Sequence, residues 1–127
     1  MSTATISKKK SITKAKKKSK FEPGDFELKV IRSSAGLGLK TLSTIPKGAC
    51  VVEYVGRTIS EAEEYTSNSK YLFEISNKKT IDGAARTNLA RYINHSCRPN
   101  CEVEIRKGRV FIMSLRAIKA GEELSYD

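Results

Sequence analysis

The sequence predicts a mostly β fold made of small antiparallel sheets, with one or two short helices. Apolar and charged residues alternate with a period of two in Phe26-Glu27-Leu28-Lys29-Val30 and again in Cys101-Glu102-Val103-Glu104-Ile105-Arg106, the pattern of strands with one buried face. Turn chemistry punctuates the chain at Pro23-Gly24, Pro46-Lys47-Gly48, Lys107-Gly108 and Ala120-Gly121, where proline presets φ and glycine tolerates the exit. Only one helix start is legible, which disfavours parallel βαβ units.

Each element follows in order. Phe26 to Val30 reads as the first half-buried strand, and Ala35-Gly36-Leu37-Gly38-Leu39 as a glycine-broken apolar turn. After the turn at Ile45-Pro46-Lys47-Gly48, Cys50 to Val55 is rich in β-formers. Ser60-Glu61-Ala62-Glu63 matches a capping box, with Ser60 as N-cap and Glu63 at the third helical position, and predicts a short helix ending near Ser67-Asn68. Tyr71 to Ile75 reads as a strand, Asn77-Lys78-Lys79 as a turn, and Asn88 to Tyr92 as a single helical turn. Cys101–Arg106 and Arg109–Met113 flank Lys107-Gly108 as a hairpin, and Leu124-Ser125-Tyr126 closes the body.

Charge divides the chain. Its 24 basic and 14 acidic residues give +10. Residues 1–20 contribute eight lysines and no acid, while residues 21–127 hold the other 16 basic and all 14 acidic groups. Residues 1–24 are therefore read as a disordered lysine-rich tail, too self-repelling and too apolar-poor to nucleate a core, and 25–127 as one compact domain. No apolar run approaches the ~18–20 residues of a membrane helix, so no membrane partner is expected. The N-terminus has no apolar segment of the secretory kind, and three cysteines are too few for a disulfide scaffold. An intracellular setting is expected: cytoplasm or nucleoid in a prokaryote, nucleus or chromosome in a eukaryote.

The informative stretch is Leu89-Ala-Arg-Tyr-Ile-Asn-His-Ser-Cys-Arg-Pro-Asn-Cys101, followed about twenty residues later by Gly121-Glu-Glu-Leu-Ser-Tyr-Asp127. Upstream, in order, stand Gly36-Leu37-Gly38-Leu39, Ile45-Pro46-Lys47-Gly48, Glu53-Tyr54-Val55-Gly56, Tyr71-Leu72-Phe73 and Ile81-Asp82-Gly83. A lone Gly-x-Gly is usually a turn, and no helix follows it here to make a dinucleotide fingerprint. Taken together and in register, these motifs resemble the SET domain family of S-adenosylmethionine-dependent protein-lysine methyltransferases over residues 28–127. The resemblance implies a β-clip-like arrangement of small sheets with a C-terminal pseudoknot, in which the Asn94-His95 segment threads beneath the loop before Leu124–Tyr126. That would be an exception to unthreaded connections.

The resemblance also implies roles. Gly36, Leu37, Gly38, Leu39, Asn94 and His95 would hold S-adenosyl-L-methionine, with Arg91 and Tyr71 as further cofactor-side contacts. Tyr54 and Tyr126 would be the catalytic-site tyrosines. Tyrosine at position 126, where the family carries tyrosine or phenylalanine, would favour fewer methyl groups per lysine. The residue types suit this: Asn94 can present donor and acceptor to a purine edge. On the residues alone, each tyrosine reads as ordinary half-buried strand packing, and His95 suits a structural or zinc-ligating role. The implied reaction moves a methyl group to a lysine of a basic, histone-like protein. It needs no metal, and Cys97-Arg98-Pro99-Asn100-Cys101 lacks a zinc-knuckle spacing, so Cys50, Cys97 and Cys101 are expected as buried structural cysteines. The family carries a tyrosine directly after the position of Asp127, which implies a truncated C-terminal end. The alternative is a catalytically weak SET-like protein tethered to DNA or chromatin by its tail, residues 8–20 making non-specific phosphate contacts.

Overall fold

A computed structural model describes residues 20–34, 36–76 and 79–127. The expected disordered tail lies outside the described residues up to position 19. The packed body begins ahead of the Pro23-Gly24 boundary. Phe21 stacks on Phe111 with ring centroids 5.3 Å apart, and the Gly24 N–H donates to the Cys50 carbonyl at 3.0 Å. An aromatic ring with an apolar partner leaves water more readily than the lysines before it.

Among the described residues, ten short strands form four small sheets. β1 (Leu28–Ser33) pairs antiparallel with β2 (Gly36–Thr41), from Leu28 opposite Thr41 to Ser33 opposite Gly36. β3 (Cys50–Tyr54), β8 (Cys101–Arg106) and β9 (Arg109–Ser114) make an antiparallel sheet with β9 in the middle. β4 (Arg57–Ile59), β5 (Leu72–Ser76) and β6 (Lys79–Asp82) make another with β6 in the middle. β7 (Asn94–His95) and β10 (Ser125–Tyr126) pair parallel, the one departure from antiparallel order among the described residues. The mostly β, small-sheet architecture is the expected one.

One core serves all four sheets. Leu39, Ile45, Val51, Tyr54, Ile112, Ile118 and Leu124 are buried in a single cluster drawn from β2, β3, β9 and the turns. Ile45 and Ile118 exchange both backbone hydrogen bonds at 2.8 Å, which ties the two Ile-x-x-Gly turns together. The expected β8–β9 hairpin closes tightly: Arg106 opposes Arg109, with Lys107 at φ 52° and Gly108 at φ 75°. Two successive positive φ values define the primed turn whose twist matches the strands it joins.

The short helix α1 (Glu61–Thr66) is capped by Ser60, whose hydroxyl accepts from the Glu63 N–H at 3.2 Å. The second half of the capping box is not made, because the Glu63 carboxylate turns to Arg57 at 2.9 Å. A single 3₁₀ turn spans Leu89–Tyr92. The structure corrects other expectations. Gly36–Leu39 is strand rather than turn, since it is paired on both edges: β1 on one side, and on the other the Leu124 N–H donating to the Leu39 carbonyl at 2.8 Å. Tertiary pairing overrides the local preference of glycine there. β4 and β6 went unforeseen because three or four residues are too short to show a period. Of the expected turn at 77–79, Asn77 and Lys78 lie outside the described residues, and Lys79 opens β6. Cys97 is exposed, whereas Cys50 and Cys101 are buried; Cys97 follows Ser96 out of the parallel pair into a loop.

Candidate active site

The site is assembled where the two signature motifs meet. The parallel pairing sets Ser125 beside Asn94 and Tyr126 beside His95, and the Ser96 N–H extends it by donating to the Tyr126 carbonyl at 2.9 Å. The His95 and Tyr126 rings then meet edge to face at 4.8 Å. Asn100, almost wholly buried, fixes the returning chain: its amide donates to the Glu123 carbonyl at 2.9 Å and its oxygen accepts from the Ser125 N–H at 2.9 Å. One side chain thus stands in for a strand partner.

Asn94 joins three segments. Its amide nitrogen is shared among the Leu37 carbonyl (3.0 Å), the Glu123 carboxylate (3.0 Å) and the Ser33 hydroxyl (3.3 Å). A Cβ on Gly38 would lie 2.5 Å from Glu123 Oε2 and 3.2 Å from Asn94 Nδ2, so a side chain there would push the carboxylate away from its place across this strand.

An open cleft of about 570 Å³ runs past this junction, lined by Tyr54, Tyr71, Phe73, Arg91, Ile93, Asn94, His95, Val103 and Tyr126, among others. A hollow of about 270 Å³ adjoins it. Asn94 and His95 belong to both, and Ser33, Glu123 and Ser125 line the far side. Six of the expected site residues therefore converge: Tyr54, Tyr71, Arg91, Asn94, His95 and Tyr126. The other four form the strand behind them. Gly36 and Leu37 are exposed, Gly38 is buried, and the Leu39 side chain belongs to the core.

Two buried phenols face the cleft. The Tyr54 hydroxyl donates to the Tyr71 carbonyl at 2.7 Å, and its ring lies 5.3 Å from that of Phe73. Burial, reinforced by Tyr126 and Asp82, pushes the Tyr54 hydroxyl up to about 12, and burial alone raises Tyr126. Both stay protonated at neutral pH, able to donate as well as accept. Arg91 lies over the Tyr71 ring at 4.2 Å and the Tyr92 ring at 5.0 Å. Its Nη1 donates to the Ala84 carbonyl, but its Nε–H is buried and, among the described residues, the one such side-chain polar atom without a partner. Burial raises the Cys50 and Cys101 thiols to about 11, which makes them poor nucleophiles. Among the described residues no three His, Cys, Asp or Glu side chains gather as a metal site.

Three supporting residues escaped the sequence reading. Asn100 and Glu123 stand inside the quoted motifs without an assigned role. Asn88, fully buried, accepts from the Val55 N–H at 3.0 Å and donates to the Gly83 carbonyl at 3.0 Å; nothing in its local sequence separates it from an ordinary helix cap.

Comparison with known proteins agrees with this geometry. The family model described as SET domain matches residues 36–127. The chain is similar to histone-lysine N-methyltransferase trr of Drosophila melanogaster, 42% identical over 104 residues that cover 72% of this chain and 4% of that protein. It is 40% identical over 105 residues to histone-lysine N-methyltransferase set-2 of Caenorhabditis elegans, covering 72% of this chain and 7% of the relative. With histone-lysine N-methyltransferase SUV39H2 of Xenopus tropicalis it shares 38% identity over 110 residues, 72% of this chain and 27% of the relative. The chain thus spans less than a third of the length of each of these relatives. With the family's residues matched from Gly36 to Asp127 and its two signature motifs closed on one another, the chain belongs to the SET domain family.

Proposed function

We propose that the chain transfers a methyl group from S-adenosyl-L-methionine to the ε-amine of a lysine in a basic, histone-like protein. The observation that carries this reading is the single cleft in which Tyr54 and Tyr126, both buried, meet Asn94 and His95 across the parallel strand pair. The names of the relatives point the same way.

The residues suit the cofactor. Arg91 carries a buried N–H without a partner in the cleft wall, the kind of donor that a methionyl carboxylate satisfies. The adjoining hollow beside Asn94 and His95 offers hydroxyl and carboxylate acceptors from Ser33 and Glu123. In this reading Arg91, Tyr71, Asn94 and His95 hold the cofactor, and the Gly36–Leu39 strand does so through its backbone. When bound, S-adenosylmethionine supplies an electrophilic methyl group on a sulfonium.

This chain's own residues prepare the amine. A lysine is protonated in water, with a pKa of about 10.4. Between Tyr54, Phe73, Val103 and Tyr126 an ammonium loses its hydration, and the neutral amine is favoured. Tyr54, held by the Tyr71 carbonyl, and Tyr126, held by the pairing with His95, orient the nitrogen lone pair. Alignment of the two reactants in one cleft supplies most of the rate. The substrate's basic character sets the location, on or near chromosomal protein.

The test is labelled-methyl transfer to histone-like proteins, with cofactor binding measured by calorimetry, on the chain and on a form extended by tyrosine after Asp127. Binding of the cofactor and label on lysine are expected. No heat and no label with either form would sink the proposal.

A further inference from the structure

A second cavity, of about 440 Å³, lies away from the cleft at the tip of the β8–β9 hairpin. Phe21, Glu22, Arg106, Lys107, Arg109 and Phe111 line it, three cations against one carboxylate. Arg109 is neutralised by Glu53 at 2.7 and 2.9 Å, and Lys20 approaches Glu104 at 3.9 Å. Arg106 and Lys107 have no ion-pair partner among the described residues. Lys79 adds a third positive group at the turn, its Nζ 2.7 Å from where a Gly108 Cβ would stand. The described chain enters at this same place, through Lys20 and Phe21, and seven further lysines without one acid precede it in residues 1–19.

From this juxtaposition we infer that the hairpin tip is a docking surface for the phosphate backbone of duplex nucleic acid. Three features favour duplex phosphates. Arg106, Lys107 and Lys79 gather at a tight two-residue turn, a narrow edge of positive charge that suits a row of backbone phosphates. The two rings offer no open stacking platform for unpaired bases, because Phe21 and Phe111 stack on each other and carry Arg106 (5.2 Å) and Arg109 (5.1 Å) on their faces. The charge is also lysine- and arginine-based without base-reading amides, so contact is with backbone and independent of sequence.

The surface leaves the cleft free. Successive side chains of a strand point to opposite faces. Phe111 points to the face shared with Phe21, Cys50 and Met113, whereas Val110 points to the core that holds Tyr54. Nucleic acid and protein substrate would occupy opposite faces of one sheet.

Binding of a labelled DNA duplex to the full chain, followed by fluorescence anisotropy across a salt series, tests this. Arg106→Glu with Lys107→Glu should weaken binding at least about tenfold near 0.1 M salt. The slope of log affinity against log salt should become shallower by about two, near 0.9 for each lost phosphate contact. Arg106→Gln with Lys107→Gln should fall between, at an unchanged melting temperature. Unchanged affinity and slope in the double variants would overturn the inference. So would an equal loss from Lys29→Glu with Lys47→Glu, two exposed cations elsewhere, since net charge alone would then suffice. Equal displacement by polyglutamate and by DNA, charge for charge, would assign the surface to acidic peptides instead and refute it too.

Discussion

The Tyr126 hydroxyl sits at the end of a side chain held by two independent constraints, the backbone pairing with His95 and the edge-to-face contact of the rings at 4.8 Å. It cannot swing aside to admit a bulkier amine without breaking one of them. Tyr126→Phe removes one oxygen and leaves both constraints intact. Under the proposed function the variant is expected to keep methyl transfer within a few-fold and to shift the product toward more methyl groups per lysine. Mass spectrometry of the modified lysine checks this, and an unchanged product distribution would remove Tyr126 from product control. At this scale the sequence was readable where motif and chemistry coincide: Tyr54, Tyr71, Arg91, Asn94, His95 and Tyr126 converge on one cleft. It was unreadable where a residue's work is purely three-dimensional. Asn100 serves as a strand partner, and no spacing announces that.

Among elements, the junction of β3, β6 and the 3₁₀ turn shows how a site is held from behind. Asn88 is fully buried and bonds Val55 from one element and Gly83 from another. Gly83 must be small, because a Cβ there would stand 2.4 Å from the Tyr54 ring and 2.5 Å from the Asn88 amide. Asn88→Ala strands the part-buried Val55 N–H and the buried Gly83 carbonyl. The expected loss is about 2–4 kcal/mol, a fall of roughly 10 °C in melting temperature for a domain of this size. Thermal unfolding measures it; a fall of no more than a degree or two would show that water replaces the amide. The alternating strands, the hairpin and the Ser60 cap were legible because each depends on neighbours in sequence. β2 was misjudged because its glycines argue locally for a turn, while its strand character comes from Leu124 and the rest of the 121–124 segment on its far edge.

For the whole molecule, acid sensitivity should trace to a clamp on that same returning segment. Glu122 binds Arg116 at 2.8 Å and accepts from the Lys119 N–H at 2.7 Å, which holds its carboxyl down at about 2 from the usual 4.5. A carboxyl with a depressed folded-state pKa stabilises above its unfolded value and loses that contribution as pH falls toward the folded value. The melting temperature is therefore expected to drop between about pH 4.5 and pH 2. Glu122→Gln should start lower at neutral pH and change less across that window. Parallel melting curves for the two proteins would argue against the clamp.

Charge belongs to this scale as well. The +10 of the full chain is uneven: residues 1–20 carry eight of the 24 basic groups and no acid, and in the described body exposed Arg106 and Lys107 stand at the hairpin tip, away from the aromatic cleft. The parallel pairing of β7 with β10 carries a last consequence, one of timing. The strands of both three-stranded sheets lie ahead of residue 115, so a ribosome can release them before the cleft has its second wall. Binding competence would then arise in one step, when Ser125 and Tyr126 reach Asn94 and His95. A chain without residues 118–126 would keep the strands of both three-stranded sheets but lose Ile118, Leu124 and Tyr126 from the shared core, so closing the cleft and completing the core would be one event.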